Sequence, residues 1–166
     1  MLADALAGTR TALSDARRAI AALRARPLED LGLARAVRAA AEASAASAGL
    51  TLDLSVPAWI EGLDSETEHA IYRIATEALA NVVRHARARK LTVRLEESGS
   101  RISLVVADDG CGFDPASVSV DTGFGLSGMR ERSSLIGGEL SIESASGRGA
   151  KVRLVARRAN DTRPDL

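Results

Sequence analysis

With 166 residues, the chain is long enough for one globular domain with a sizeable core and a short additional segment. Its 22 basic and 22 acidic residues balance to a formal net charge of zero, which argues against a nucleic-acid partner. One cysteine excludes an internal disulfide, and no apolar run reaches the roughly 18 residues of a membrane span. We therefore expect a cytoplasmic location without direct membrane contact.

Residues 1–26 are predicted to form an N-terminal helix that Pro27 ends, because proline disfavours helical backbone in the residue before it. Two interpretations are open: an amphipathic helix packed on its own domain, or one helix of a dimerising bundle. Both interpretations depend on a seam of mainly apolar residues at alternating spacings of four and three, formed by Leu2, Leu6, Thr9, Leu13, Ala16, Ile20 and Leu23.

A second helix is predicted from Asp30, as N-cap, to Gly49, the residue type that commonly follows a helix end. Residues 50–56 alternate between apolar and polar and predict a strand. A third helix is predicted over 65–86, where Ser65 can cap the first turn and Glu68 can complete a capping box.

Four further strands are predicted as two hairpins. Residues 91–97 and 101–107 flank the turn sequence SGS, and residues 139–145 and 150–156 surround SGRG. Between the hairpins, a helix is predicted over 127–136, and the tail 159–166 has no periodicity and is predicted to be disordered. These elements predict an α+β fold, a two-layer α/β sandwich in which helices cover one face of a mixed, mainly antiparallel sheet.

Polar residues lie at helical spacing along one side of the third predicted helix: Glu77, Asn81, Arg84 and His85. A carboxylate, an amide and a cation in one row can hold hydrated Mg²⁺ and a polyphosphate, because Mg²⁺ prefers hard oxygen ligands together with substrate phosphates. The alternative is a solvated helix face with an ordinary salt bridge.

The sequence DDGCGF follows a strand, at the end where the chain leaves the sheet. A carboxylate of Asp108 or Asp109 that points inward can accept a hydrogen bond from an amino group such as that of adenine, and Gly110 and Gly112 can leave room for the ring. The alternative is an ordinary Asp/Gly turn.

The sequence GFGL precedes a predicted helix, whose free N–H groups and dipole attract phosphate. Alone, it is weak evidence for a phosphate site, and SGRG alone is a hairpin turn. The order EALANVVRHA, DDGCGF, GFGL and GRGA, however, resembles the N box and glycine boxes of the GHKL ATPase superfamily over residues 65–155.

The resemblance narrows to the catalytic region of sensor histidine kinases of the NarL/DegS-like class. Arg26-Pro27-Leu28 and Gly128-Met129-Arg130-Glu131-Arg132 match segments of that class, and the similarity covers residues 20–156. The resemblance implies the Bergerat fold, the cofactors ATP and Mg²⁺, and the division of the chain into 1–26, the second helix of a dimerisation hairpin, 27–158, the catalytic domain, and the tail.

Roles for individual residues follow from the resemblance. It implies that Glu77 is catalytic and supports the metal, that Asn81 ligates Mg²⁺, and that Arg84 and His85 lie near the phosphates. It further implies that Asp108 accepts a hydrogen bond from the adenine amine. Six glycines and a leucine are implied to shape the base pocket, the lid hinge and the last glycine box: Gly110, Gly112, Gly123, Gly125, Gly147, Gly149 and Leu126.

The chain departs from the family pattern at Arg84, which stands where the family often has lysine, and at Ala150. Ala150 stands where the family often has threonine, so a hydroxyl near the nucleotide is missing. Cys111 occupies a variable position and is expected to be a small buried residue, with a redox role as the alternative. The only histidines are His69 and His85, both in the third helix, so the phosphoacceptor histidine is expected on a hairpin outside this chain, which would be a fragment of a larger kinase.

The function expected from the resemblance is transfer of the γ-phosphoryl group of ATP to that histidine, and from there to a response regulator. The expected partners are ATP, the hairpin and the regulator, with a homodimer in the full-length protein. The alternatives are a nucleotide-sensing interaction module without phosphotransfer, and a serine kinase of the anti-sigma type.

Overall fold

The computed structural model describes residues 26–114 and 124–158. The predicted helix over 1–26, apart from its last residue, and the predicted tail lie outside the described residues. The predicted helix end at Pro27 is wrong, because Arg26 and Pro27 both lie in a helix that continues to Leu31. Among those described, no helix combines the length and the apolar character needed to cross a membrane. The elements are α1 (Arg26–Leu31), α2 (Leu33–Ala48), β1 (Thr51–Ser55), α3 (Ser65–Asn81), a π turn (Val82–Ala86), β2 (Lys90–Ser98), β3 (Arg101–Asp108), α4 (Phe124–Leu135), β4 (Glu139–Ser144) and β5 (Ala150–Arg157).

The strands of the described residues form one sheet in the order β1-β2-β3-β5-β4. β1 pairs with β2 in parallel, and the other three pairings are antiparallel. The predicted mixed, mainly antiparallel sheet is thus confirmed. Both predicted hairpins are confirmed as well: β2 and β3 are joined through Gly99 and Ser100, and β4 pairs with β5.

One face of the sheet is buried under the helices, and the other is not. In β2, Leu91, Val93 and Leu95 are each at most 1% exposed, whereas Thr92 and Arg94 between them are more exposed. The same alternation in β3 and β5 gives the sheet a single apolar face. α2 and α3 bury their apolar sides against that face, with Val37, Ile71 and Ile74 among the least exposed residues of the core. The predicted two-layer sandwich is confirmed.

The start of the second predicted helix is wrong. Asp30 lies inside α1, and α2 begins at Leu33 after Gly32, whose φ of 73° and ψ of 165° break the helix. Only glycine adopts such a backbone conformation readily, so the break follows the glycine and not the capping preference of aspartate. Gly49, in the left-handed conformation with φ 65°, ends α2 as predicted.

The N-cap of α3 is Asp64 and not the predicted Ser65. The Asp64 carboxylate accepts hydrogen bonds from the backbone N–H and the hydroxyl of Thr67, both at 2.8 Å. These bonds, that from the backbone N–H above all, hold the pKa of Asp64 below its ordinary value. Because the cap lies one residue earlier, Glu68 is not placed for the predicted capping box.

Two helix ends next to the glycine-rich segments differ from the prediction. The third helix is helical through residue 86, but its last five residues form a π turn, which ends at Arg87 in the left-handed conformation with φ 50°. Within the described residues, α4 extends from Phe124, three residues before the predicted start, to Leu135. The N–H groups of Gly137 and Gly138 then bond back to Ser134 and Ser133, as expected of a glycine-terminated helix.

Candidate functional site

A cavity of about 240 Å³ opens between α3, the π turn, the ends of β3 and β5, and the start of α4. Its walls are mainly apolar, and the polar side chains on it are few, as is usual for a small-molecule site. Its apolar side chains are Ala78, Val82, Ala86, Val106, Phe113, Leu126, Ala150 and Val152. Its other lining residues are Asn81, His85, Asp108, Cys111, Gly112 and Gly125.

Asp108 is the last residue of β3 and turns its carboxylate towards the cavity. The carboxylate accepts a hydrogen bond from the N–H of Gly110 at 2.8 Å, and the backbone N–H of Ala150 also favours its charged form. Half-burial raises the pKa of Asp108 above its ordinary value, and the two N–H groups partly offset this rise. The arrangement holds a hydrogen-bond acceptor in an apolar wall.

Asp109 is exposed and faces away from the cavity. Its carboxylate accepts hydrogen bonds from the N–H groups of Lys90 and Arg89, each at 2.8 Å, and these bonds lower its pKa. Asp109 thus stabilises the contact between the start of β2 and the end of β3. Of the two adjacent carboxylates, only Asp108 is available to a molecule in the cavity.

Three glycines of the site are needed for contacts between backbone segments. A Cβ atom at Gly110 would lie 2.1 Å from the Ala86 carbonyl oxygen, one at Gly112 2.0 Å from that of Ala145, and one at Gly149 2.0 Å from that of Asp108. The space that each missing side chain leaves is therefore filled by protein backbone. Gly112 also lines the cavity, whereas Gly110 and Gly149 act from behind its wall.

The segments that carry these glycines are joined by backbone hydrogen bonds. The Cys111 N–H donates to the Ala86 carbonyl at 2.7 Å, and the Gly147 N–H donates to the Cys111 carbonyl at 2.6 Å. The Gly149 N–H donates to the Gly110 carbonyl at 2.9 Å. The end of the π turn, the DDGCG segment and the SGRG segment therefore form one joint, which we call the three-segment joint.

The π turn separates the polar row that the sequence predicts on one helix face. Asn81 and His85 line the cavity, while Arg84 is exposed and is not among the residues that line it. A π turn contains more residues per turn than an α-helix. His85, four residues after Asn81, therefore stays on the same side of the helix as Asn81, whereas Arg84, three residues after it, is turned away. Glu77 lies one helical turn before Asn81, half-buried and against Gly125 of α4.

Cys111 is exposed and lines the cavity, so the expectation of a small buried residue is wrong. Its Sγ donates a hydrogen bond to the His85 carbonyl at 3.2 Å. The sequence shows no signal for this contact, because the two residues are 26 positions apart.

On the lid side, Gly125 and Leu126 in the first turn of α4 line the cavity, whereas Gly123 lies outside the described residues. The apolar walls at Ala78, Val106 and Val152 were not predicted as part of a site. Their strand and helix periodicity predicts that they are buried in the core. A cavity wall that continues the core has the same periodicity, so the sequence pattern cannot distinguish the two.

The donor set fits a cation that arrives with phosphates better than a metal held by protein alone. No group of three His, Cys, Asp or Glu side chains among the described residues could hold a metal ion. The amide of Asn81 on the cavity and the Glu77 carboxylate one turn away are hard oxygen donors, of the number that Mg²⁺ uses beside substrate phosphates and water.

Comparison with known proteins finds relatives of this chain. Residues 66–160 match the family described as histidine kinase-, DNA gyrase B-, and HSP90-like ATPase. The signal transduction histidine-protein kinase/phosphatase UhpB of Salmonella typhimurium is 37% identical over 142 residues, which are 85% of this chain and 28% of UhpB. The sensor histidine kinase MctS of Rhizobium johnstonii is 35% identical over 151 residues, 90% of this chain and 33% of MctS.

Solved structures agree on the fold. The histidine kinase domain of the blue-light activated kinase EL346 of Erythrobacter litoralis superposes with a TM-score of 0.58 at 22% identity, covering 77% of this chain and 60% of that one. Full-length ShkA in complex with AMPPNP gives 0.55 at 21% identity, covering 72% of this chain and 28% of that one. The chain thus spans only about a third of the length of its curated relatives.

Proposed function

Because the chain belongs to the histidine kinase-, DNA gyrase B-, and HSP90-like ATPase family, of which it carries the ATP-binding catalytic domain, we propose that the cavity beside α3 is where ATP binds. The observation that carries the proposal is the Asp108 carboxylate, which accepts a hydrogen bond from the Gly110 N–H and lies in a mainly apolar wall. That ShkA was solved with the ATP analogue AMPPNP supports the same ligand class.

The adenine ring is proposed to lie at the Asp108 end of the cavity. A planar aromatic ring gains from burial against Ala78, Val106 and Val152, and its exocyclic amine donates to the Asp108 carboxylate. Ala150 pairs with Asp108 across the strands β3 and β5, where its methyl group provides no further hydrogen bond to the base. Base recognition therefore depends on Asp108 more than it would with a hydroxyl at position 150.

The phosphates are proposed to extend towards Asn81, His85 and the first turn of α4, where free N–H groups favour anions. Mg²⁺ would be held by the Asn81 amide oxygen, with Glu77 as support, and would supply neutralisation of the phosphate charge. Glu77 is proposed as the base that polarises the attacking group. Arg84 keeps a predicted role near the phosphates, although it is not among the residues that line the cavity.

The reaction that we propose is phosphoryl transfer to histidine. An imidazole nitrogen of the acceptor forms a bond to the γ-phosphorus while the bond from the γ-phosphorus to the β,γ-bridging oxygen breaks, and ADP leaves. The chain has only His69 and His85, both on the helix that carries the site, so the acceptor is proposed to lie on a dimerisation hairpin of a larger cytoplasmic kinase region. A response regulator would then take the phosphoryl group.

Nucleotide binding tests the first half of the proposal. In a calorimetric titration with ATP and Mg²⁺, we expect saturable binding by the wild-type chain and a loss of affinity of at least about 100-fold for Asp108→Ala, since a buried base amine would lose its charged partner. Asp109→Ala removes the adjacent carboxylate outside the cavity and serves as the matched control, with affinity close to wild type. Equal affinity of Asp108→Ala and the wild type would refute the base contact.

Phosphotransfer tests the second half. The histidine-bearing hairpin of a related kinase of this class, supplied as a separate chain with ATP and Mg²⁺, should acquire acid-labile, base-stable phosphate only when the wild-type domain is present. Nucleotide binding without any phosphohistidine, under conditions where that kinase's own catalytic domain labels the hairpin, would favour a nucleotide-sensing module.

A further inference from the structure

Gly125 and Glu77 are in direct contact across two helices. Gly125 is the second residue of α4, and Glu77 lies on α3. A Cβ atom built on Gly125 would lie 2.3 Å from Oε1 of Glu77 and 3.2 Å from its Cδ. The carboxylate is therefore packed directly against the backbone of the first turn of α4, in a place that any other residue at position 125 would occupy.

The Glu77 carboxylate has no specific polar partner there within the described residues. It is half-buried, yet within residues 26–114 and 124–158 it makes no hydrogen bond and no ion pair. The partial positive charge at the N-terminal end of a helix favours a carboxylate in this position. Such a contact can be released by anything that binds the helix end more strongly.

The cavity reaches the same helix turn, because Gly125 and Leu126 line it. A phosphate group that binds at this turn would lie close to the Glu77 carboxylate. Both groups carry negative charge, so they repel one another. Glu77 itself is not among the residues that line the cavity, but its carboxylate lies against Gly125, which does, so its charge disfavours a phosphate at that turn.

We propose that Glu77 is an internal competitor of the nucleotide phosphates. In the ligand-free domain its carboxylate contacts Gly125, and nucleotide binding displaces it. The inference rests on the proposed function, since it takes the ligand to be a nucleotide with its phosphates at α4. Displacement moves the Glu77 carboxylate off the helix at the moment when its assigned role as a base begins. Gly125 is then a positioning residue, because the Glu77 carboxylate occupies the space that a side chain at position 125 would fill.

Two variants separate the charge of Glu77 from its position. Glu77→Gln keeps the shape and removes the charge, whereas Gly125→Ala keeps the charge and pushes the flexible end of Glu77 away from the helix. The backbone of Gly125 does not have positive φ, so alanine is tolerated there. Glu66→Gln, a loss of the same charge from the first turn of α3, is the matched control.

The probes are ADP and adenosine in EDTA, titrated by calorimetry, so that a metal-supporting role of Glu77 cannot contribute. For both Glu77→Gln and Gly125→Ala, we expect ADP affinity about threefold to tenfold higher than for the wild type, with adenosine affinity unchanged. Glu66→Gln should leave both affinities unchanged. In the double variant Glu77→Gln with Gly125→Ala, the second change should add nothing, because no charge is left to displace.

Unchanged or weaker ADP binding by Glu77→Gln, with adenosine still bound, would overturn the competition and leave the nucleotide site standing. A folded wild-type chain that binds neither adenosine nor ADP nor MgATP would instead overturn the proposed function, and this inference with it. A merely structural contact predicts that Gly125→Ala lowers the affinity for ADP, the opposite sign.

Discussion

At the scale of single residues, the two adjacent aspartates after β3 show how one position decides between chemistry and structure. Asp108 ends the strand with its carboxylate towards the cavity, and Asp109 turns outwards to bind the N–H groups of Lys90 and Arg89. The sequence predicts a functional carboxylate in this pair, but two identical residues cannot reveal which of them faces inwards. The side that each takes is set by where the strand stops.

Their opposite pKa shifts predict opposite contributions to stability against pH. Burial raises the pKa of Asp108, so its contribution to folding is full below the ordinary value of 3.8 and is lost as pH rises through its folded pKa. Hydrogen bonds from Lys90 and Arg89 lower the pKa of Asp109, so its contribution is present above 3.8 and is lost as pH falls through its folded pKa.

Carboxyl carbon NMR should therefore give a titration midpoint above 3.8 for Asp108 and below 3.8 for Asp109. Urea unfolding as a function of pH, across the range of the two midpoints, measures the free energy of unfolding of the wild type and of each variant. The difference between the wild type and Asp108→Asn should fall as pH rises, and the difference between the wild type and Asp109→Asn should rise. Midpoints in the reverse order would show that the burial of the two carboxylates is assigned wrongly.

Gly110 is predicted to be irreplaceable for a steric reason. In Gly110→Ala the new methyl group would lie 2.1 Å from the Ala86 carbonyl oxygen, a rigid backbone atom, so we expect the free energy of unfolding to fall by about 3 kcal/mol. Gly99→Ala is the control, since Gly99 has φ 57° but open space around it, and a loss of only about 1 kcal/mol is expected. Chemical denaturation measures both, and equal losses would mean that the Ala86 carbonyl moves aside and that close approach does not set the requirement.

At the scale of elements, hydrophobic periodicity was sufficient for the strands and for the body of the helices. The alternation of Leu91, Val93 and Leu95 with polar residues predicts the buried face of β2, and the structure has it. Helix ends were less predictable, because several residues near each end could act as caps. Asp30, Asp64 and Ser65 are all of residue types that commonly cap helices. Only the backbone conformation shows that Asp64 caps α3.

The first turn of α3 distinguishes the observed cap from the predicted one. Asp64→Ala removes both hydrogen bonds to Thr67 and should lower the free energy of unfolding by about 1 kcal/mol, whereas Ser65→Ala should change it by less than about 0.5 kcal/mol. Thermal or urea unfolding measures the difference. A larger loss from Ser65→Ala than from Asp64→Ala would restore the capping box inferred from the sequence.

The π turn is the element that sequence reasoning had no means to find. VVRHA continues an apolar and polar pattern that suits an α-helix, and nothing in it signals a wider turn. The turn determines which members of the polar row reach the cavity, and it presents the Ala86 carbonyl to Cys111. Tertiary contacts, made by residues 25 positions further along the chain, are what stabilise it.

At the scale of the whole molecule, the candidate site was predicted from the order of four short motifs and not from any one of them. Asn81, His85, Asp108, Gly112, Gly125 and Leu126 do meet around one cavity. The walls formed by Val106 and Val152 could not be assigned from sequence, since a strand buries the same residues whether it faces a helix or a ligand. The kinase activity, the acceptor and the regulator stay proposals, because the chain spans about a third of its relatives.

The three-segment joint has a consequence for how the domain folds and how it responds to its ligand. Residues 86, 111 and 147 belong to three parts of the chain, so the joint closes only after the third helix and both hairpins are in place. The site is therefore the product of non-local contacts, and no excised peptide that carries one of its motifs would contain it. For the same reason, a nucleotide bound across the joint resists unfolding of the entire domain, not of one loop.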